Sequence, residues 1–284
     1  MNIAVLSDIH GNHMAFESCL NYLVSRKIDA FIFLGDYVGE FPRTEITMEL
    51  IYELQKKYSC YIIRGNKEEY QLGGLGEDKS EWDDYPSTIG MIRYAAKHTR
   101  KKDLKYFAGL PITMRVEFPD LPPLRICHGS PRNIKEDIRP EYDVNQEIFA
   151  EIEETYVVSG HTHRVTDMAE YGKIVWNPGS VGLSLNGSAK AQFMILHGED
   201  RRWEPEFLEI EYDTDKVICE MWEENLYELA PYWTKITESL VRGGAVSHGK
   251  VLAHAMELCR QETGVCDWPK IPEKYWKKAC EELL

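Results

Sequence analysis

Ile3-Ala4-Val5-Leu6-Ser7-Asp8-Ile9-His10-Gly11-Asn12 carries the reading of the fold. Its first half is an apolar run of strand length. Its second half breaks into an acid, a histidine, a glycine and an asparagine. A helical pattern follows from about residue 14 to 24, with Ala15, Cys19, Leu20 and Leu23 on one face. The motif then recurs in outline. Phe31-Ile32-Phe33-Leu34 is a second apolar run, closed by Gly35-Asp36. Residues 46–58 read as a helix with Ile46, Leu50, Ile51 and Leu54 at core spacing. Tyr61-Ile62-Ile63 is a third run, ended by Arg64-Gly65-Asn66. Strand, helix, strand, helix, strand predicts a parallel α/β sheet.

Further along the pattern changes. Residues 73–90 are rich in Gly, Asp and Ser and read as a loop, either solvated or a lid. Helical character returns over 88–108. After Pro111, strand-like runs crowd together at 112–118, 124–127, 156–159, 173–176, 191–196 and 206–211. A mixed sheet, or two packed sheets, fits this better than a doubly wound fold. From about Asp213 the chain reads as helices over 214–228, 232–242, 247–262 and 273–283. The expected division is therefore a sheet-containing domain at 1–212, the one that carries any catalytic site built at strand ends, and an all-helical extension at 213–284.

The composition limits what such a chain can do. Of 284 residues, 47 are acidic and 33 basic, for a net charge of -14. That acid excess argues against a partner that is a long nucleic acid or a membrane surface. No stretch approaches the roughly 18 apolar residues of a membrane span. The N-terminal run is not flanked like a signal peptide. The seven cysteines form no CxxC pair, so reduced thiols and a cytoplasmic setting are expected. Cys127 sits in an apolar run and reads as an inert buried thiol.

The chemistry lies where the apolar runs stop. Asp8-Ile9-His10 ends the first, Gly35-Asp36 the second and Gly65-Asn66 the third. His128-Gly129 ends the 124–127 run, and Gly160-His161-Thr162-His163 ends the 156–159 run. In an α/β sheet the carboxyl ends of the strands are where sites assemble. Each fragment alone has an ordinary reading: a cap, a turn, a hydrogen-bonded histidine. Five together, in this order, do not. Two Asp, four His and one Asn are ligand types for first-row divalent ions. Seven are too many for one tetrahedral ion and suit two ions sharing a carboxylate, with Asp36 the natural bridge. Within Asp8-x-His10 and within His161-x-His163, both side chains lie on one side of an extended segment.

This order of motifs resembles the calcineurin-like metallophosphoesterase superfamily over about residues 1–200. Asp8-Ile9-His10-Gly11-Asn12 and Asn177-Pro178-Gly179-Ser180-Val181-Gly182 look most like its small bacterial and archaeal phosphodiesterase branch. The resemblance implies a four-layer α/β/β/α sandwich of two mixed sheets flanked by helices. It implies two divalent metal ions, with Mn, Fe, Zn or Ni as candidates. One ion would be held by Asp8, His10, Asp36 and His163, the other by Asp36, Asn66, His128 and His161. It also implies that Asn177–Gly182 lies near the site. The expected reaction is hydrolysis of a small phosphate ester, a phosphodiester or nucleotide, by a metal-bridging hydroxide. Asn66 and His128 would also face the substrate. A phosphomonoesterase or dinucleoside polyphosphate hydrolase is the near alternative, and a non-catalytic protein-binding scaffold the distant one.

One position departs from the family pattern. The residue after Gly65-Asn66 is Lys67, where the family places a histidine credited with protonating the leaving group. Lys67 is a candidate phosphate clamp, proton donor or solvated side chain. A donor role predicts that Lys67→Ala hurts poor leaving groups far more than nitrophenyl esters. His13 is a second candidate donor, or simply a helix-start histidine. In the C-terminal segment Trp222, Tyr227, Tyr232, Trp233, Trp268, Tyr275 and Trp276 would pack on the catalytic domain. As a cap they would narrow the site's mouth, with Lys235, Arg242, His248 and Lys250 free to meet an anion.

Overall fold

The computed structural model describes residues 1–74, 80–140 and 142–284. The chain runs β1 (Asn2–Leu6), α1 (His13–Val24), β2 (Ala30–Phe33), α2 (Thr44–Gln55), β3 (Ser59–Ile62) and α3 (Asn66–Leu72). It continues through α4 (Pro86–His98), α5 (Lys101–Gly109), β4 (Thr113–Val116), β5 (Leu124–Cys127), α6 (Val144–Ala150) and β6 (Tyr156–Val158). Next come β7 (Val165–Glu170), β8 (Lys173–Pro178), β9 (Ala191–Glu199) and β10 (Arg202–Ile210). Five helices close it: α7 (Thr214–Glu223), α8 (Leu226–Leu229), α9 (Pro231–Val241), α10 (His248–Thr263) and α11 (Glu273–Leu283).

Two five-stranded mixed sheets result, ordered β10-β9-β1-β2-β3 and β4-β5-β6-β8-β7. In the first, β1, β2 and β3 are parallel, β9 runs antiparallel to β1, and β10 runs antiparallel to β9. In the second, β5, β6 and β8 are parallel between antiparallel edges. The side-chain period of two explains the layering. Ile3, Val5, Ile32 and Leu34 face inward, meeting Leu124, Ile126, Val158 and Trp176 from the other sheet. Ala4, Leu6, Phe31 and Phe33 face outward, against Phe16 and Cys19 of α1, Met48 and Ile51 of α2, and Phe107 of α5. The outer face of the second sheet packs Cys127, Val157 and Val175 against Ile148 and Phe149 of α6. Strands buried on both faces read as unbroken apolar runs, which is why they stand out in the sequence. The four-layer sandwich expected from the resemblance is the fold observed.

Some elements differ from the sequence reading. The helix expected over 88–108 is two helices, α4 and α5, separated by extended backbone at Thr99 and Arg100. The loop expected over 73–90 falls partly outside the described residues, at 75–79. Its described part holds a single 3₁₀ turn at Ser80–Trp82, and α4 already begins at Pro86. All seven cysteines are free, and burial pushes the Cys127 thiol up to about 12. Among the described residues no helix is long and apolar enough to cross a membrane.

The C-terminal helices form a fourth apolar cluster. Val251, Tyr275, Trp276 and Ala279 join Met91 and Tyr94 of α4 with Phe41, Leu183 and Leu185 of the loops at the strand ends. Trp276 donates its indole N–H to Thr88 Oγ1 at 3.0 Å. At the other end of these loops Asn12 caps α1. Its Oδ1 accepts Ala15 N–H at 3.1 Å, and its Nδ2 donates to Gly182 O at 3.0 Å. Asn12→Ala is expected to cost about 1–2 kcal/mol. A lower urea midpoint with an unchanged slope would show it; an unchanged midpoint would remove the cap's role.

Candidate metal centre

β1, β2 and β3 are parallel, so Asp8, Asp36 and Asn66 all leave the same edge of the first sheet. β5 and β6 do the same for His128, His161 and His163 in the second. The two edges are stitched together across the sandwich. His161 N–H donates to Asp8 Oδ2 at 3.1 Å; within the second sheet's own edge, Gly160 N–H donates to His128 O at 2.7 Å and Asn177 Nδ2 to Gly160 O at 2.6 Å. Ser180 Oγ donates to Asp8 O at 2.8 Å, and Gly182 N–H donates to the same carbonyl at 3.0 Å. The Asn177–Gly182 segment therefore lies against the site.

Two glycines make the approach possible. A Cβ on Gly65 would fall 2.2 Å from Asp36 Oδ1. Gly35 has φ 99°, and a Cβ on it would lie 2.4 Å from Gly65 N. The side chains that converge are held on unusual backbone. Asp8, His10, Asp36, His161 and His163 have φ of 55°, 55°, 53°, 67° and 53°. That is the left-handed region, uncommon for any residue but glycine. It is five of the seven candidate ligands, and such backbone clusters at functional sites.

Five of the seven side chains are buried, and His161 and His163 are partly exposed. Two tight groups form: Asp8 with His10 and His163, and Asp8 with Asp36 and His128. Asp8 Oδ1 lies 3.3 Å from His163 Nε2, 3.8 Å from His10 Nε2 and 3.9 Å from His128 Nε2. Asp36 turns one oxygen to each side. Its Oδ2 is 3.8 Å from His10 Nε2 and its Oδ1 is 3.5 Å from His128 Nε2. Asn66 Oδ1 lies 3.1 Å from His128 Nε2. The ring of His161 stands beside that of His128, centroids 5.1 Å apart, but its Nε2 is turned toward Asp137 Oδ1 at 3.6 Å. It is outside both tight groups.

The donor set fits a divalent cation. His128 Nδ1 lies 2.8 Å from Leu34 O, and His163 Nδ1 lies 2.8 Å from Leu183 O. A carbonyl only accepts, so each Nδ1 carries a hydrogen, and each Nε2 is the ring atom turned inward toward the carboxylates. His163 Nε2 meets His10 Nε2 at 3.0 Å. Asp8 Oδ1 is buried with no hydrogen-bond partner among the described residues. A cation among these atoms satisfies them together. Electrostatics agrees. Burial opposes charge on Asp8, but His163, His128 and His10 outweigh it and hold the carboxyl far below its usual range. Burial also opposes charge on Asp36, yet His128 and His10 bring it down to about 2. His128 is disfavoured as a cation by burial but lifted to about 9 by Asp36 and Asp8. The two carboxylates draw positive charge into this space.

The structure places the two remaining candidates differently. Lys67 Nζ pairs with Glu40, and Trp233 of α9 donates its indole N–H to the other Glu40 oxygen. Its side chain is only 17% exposed. Burial would release its proton, but Glu40 and Asp36 outweigh it and hold its pKa above the ordinary lysine value. His13 is turned to other partners. Its Nε2 faces Glu220 of α7 at 3.0 Å and its Nδ1 faces Glu17 at 3.4 Å. Glu40 and Glu68 were not singled out from the sequence, and Trp233 was expected only among the C-terminal aromatics that pack on the domain or cap it. Glu68 is fully buried and accepts the N–H groups of Gly65, Asp36 and Tyr37, each at 2.8 Å. Its position three residues after Gly65 is the spacing of a capping residue, which was the available signal.

A two-sheet sandwich with a buried Asp/His cluster at its strand ends defines a class of metal-dependent hydrolases. Residues 1–201 match the calcineurin-like phosphoesterase superfamily domain, and the chain belongs to that superfamily. It is a hydrolase of phosphate esters. The protein MJ0912 of Methanocaldococcus jannaschii, itself uncharacterized, is 27% identical over 232 residues, covering 76% of this chain and 89% of that protein. Among solved structures, the hypothetical protein PH1004 of Pyrococcus horikoshii has a TM-score of 0.68 at 23% identity, covering 82% of this chain and 97% of that one. A metallophosphoesterase of Sphaerobacter thermophilus has a TM-score of 0.65 at 22% identity, covering 84% and 100%. These two likenesses are of fold.

Proposed function

We propose that the chain hydrolyses small phosphodiesters or nucleotides using two divalent ions. One would be held by Asp8, His10, Asp36 and His163, the other by Asp36, Asn66, His128 and His161. The observation that carries this reading is the convergence of inward-facing Nε2 atoms on two carboxylates, one with an unpartnered oxygen. When bound, such ions supply an activated water and neutralise charge on the phosphate oxygens. The protein's share is positioning. Leu34 O and Leu183 O fix the imidazole tautomers, and Glu68 fixes the loop that carries Asp36. Lys67 keeps its proton and offers charge to a phosphate oxygen, which favours a clamp over a donor. Residues 1–212 form the catalytic unit in this reading, and 213–284 cover one side of it.

Metal analysis of purified protein and hydrolysis of bis-nitrophenyl phosphate test it together. Two ions per chain, and activity lost to a chelator and restored by manganese, are expected. One ion would retire the two-ion reading; metal-loaded protein inert to every phosphate ester would retire the function. Lys67→Ala is expected to lower kcat/KM about tenfold to a hundredfold, by a similar factor for good and poor leaving groups. A loss confined to poor leaving groups would restore the donor role. His13→Ala is expected to leave kcat/KM within about threefold, since its ring faces Glu17 and Glu220.

A further inference from the structure

The C-terminal helices meet the site loops at a cavity of about 360 Å³, within the roughly 300–1,000 Å³ of small-molecule pockets. Asn66 and Lys67 line one end of it, so it opens directly beside the Asp/His cluster. Its walls are largely apolar and aromatic. Tyr70 comes from α3, Trp233 from α9, Leu252 from α10, and Trp268 from the turn between α10 and α11. None of Lys235, Arg242, His248 or Lys250 is among the lining residues described. The C-terminal segment thus contributes rings and aliphatic groups here, not the cations expected from the sequence.

Two polar features narrow the occupant. Gln71 lines the cavity, and its buried amide oxygen has no hydrogen-bond partner among the described residues. Lys135 also lines it, with Nζ 4.6 Å from the centre of the Tyr70 ring and no acidic partner among the described residues. A ligand here needs an apolar face for the rings, a hydrogen-bond donor at its edge for Gln71, and negative charge toward Lys135. An alkyl chain would leave Gln71 unpaired. A bare sugar would waste the aromatic wall. A nucleobase has the flat face and the edge donors, and glutamine amides read such edges.

We infer that this cavity binds the base of a nucleoside phosphate whose phosphoryl group lies at the Asp/His cluster. The inference rests on the phosphoesterase reading and deepens it. The C-terminal helices would then set substrate choice, while the strand ends carry the chemistry.

Calorimetric titration of the full-length protein with adenosine 5′-monophosphate and with ribose 5-phosphate tests it. The two share a phosphate and a ribose and differ in the base. The nucleotide is expected to bind at least about fivefold more tightly, the low end of base–aromatic stacking. Leu252→Trp, which fills the cavity away from the cluster, is expected to erase that difference. Equal affinity in the wild type, or no binding of either, overturns the inference, as does a full preference in a folded Leu252→Trp protein. Tryptophan quenching by adenosine 5′-monophosphate but not by ribose 5-phosphate supports it without any variant, and absence of quenching counts against it. The outcomes separate from the parent reading. Protein that cleaves bis-nitrophenyl phosphate without base preference keeps the function and loses the inference; inert protein that prefers the base does the reverse.

Discussion

Asp8→Asn is expected to lose at least about a hundredfold in kcat/KM, because changing even a residue behind a metal ligand costs about 10- to 100-fold. Asp8 is the residue common to both tight groups, and its Oδ1 faces three imidazole nitrogens with no hydrogen-bond partner among the described residues. Asparagine keeps the shape but removes the charge. It also removes an acceptor from Oδ2, which takes the Ser7 hydroxyl and the His161 N–H, or presents an NH₂ to the cluster. Either way the site binds metal more weakly. The readouts are metal content after gel filtration and kcat/KM on bis-nitrophenyl phosphate at rising manganese. Stoichiometric metal and activity within about threefold of wild type would show that Asp8 is not a ligand.

Glu68→Ala should cost about 3–5 kcal/mol in stability, since three buried N–H groups lose their only strong acceptor and each such loss costs about 1–3 kcal/mol. Those donors belong to Asp36, Tyr37 and Gly65, so a single carboxylate ties the loop after β2 to the start of α3. Burial pushes its own pKa up to about 7, helped by the nearby Asp36 charge and opposed by these hydrogen bonds. Glu68→Gln keeps one oxygen and should lose roughly half as much. Thermal unfolding should fall on the order of 10 °C for the alanine variant. If Glu68→Ala unfolds within about 1 kcal/mol of wild type, water satisfies the loop and the carboxylate is dispensable.

Much of this was legible in the sequence because of burial. β1 and β2 bury apolar residues on both faces, and β5 and β6 are largely apolar, so their ends are abrupt and the ligands follow within a few residues of them. β7 was not legible. It buries only Thr166 and Met168 firmly, and its other residues are polar or partly exposed at a sheet edge. α3, Asn-Lys-Glu-Glu-Tyr-Gln-Leu, is short and mostly polar, so its helical character depends on its tertiary setting. The environment of Lys67 was out of reach for a different reason. Its partner Glu40 lies 27 residues away, and Trp233, which holds Glu40, lies 193 residues from Glu40. No local pattern encodes such a triad. His13 shows the converse: near His10 in sequence, it is committed to Glu220 in α7.

The left-handed backbone at Asp8, His10, Asp36, His161 and His163 has a consequence for protein engineering. Each such conformation costs on the order of 1 kcal/mol for a residue with a side chain. Glycine adopts it freely. A selection for heat resistance alone would therefore drift toward glycine at these five positions and reward the loss of the site. Thermostabilised variants of this enzyme should be sought with activity held as a second criterion, and with these five positions locked from the outset.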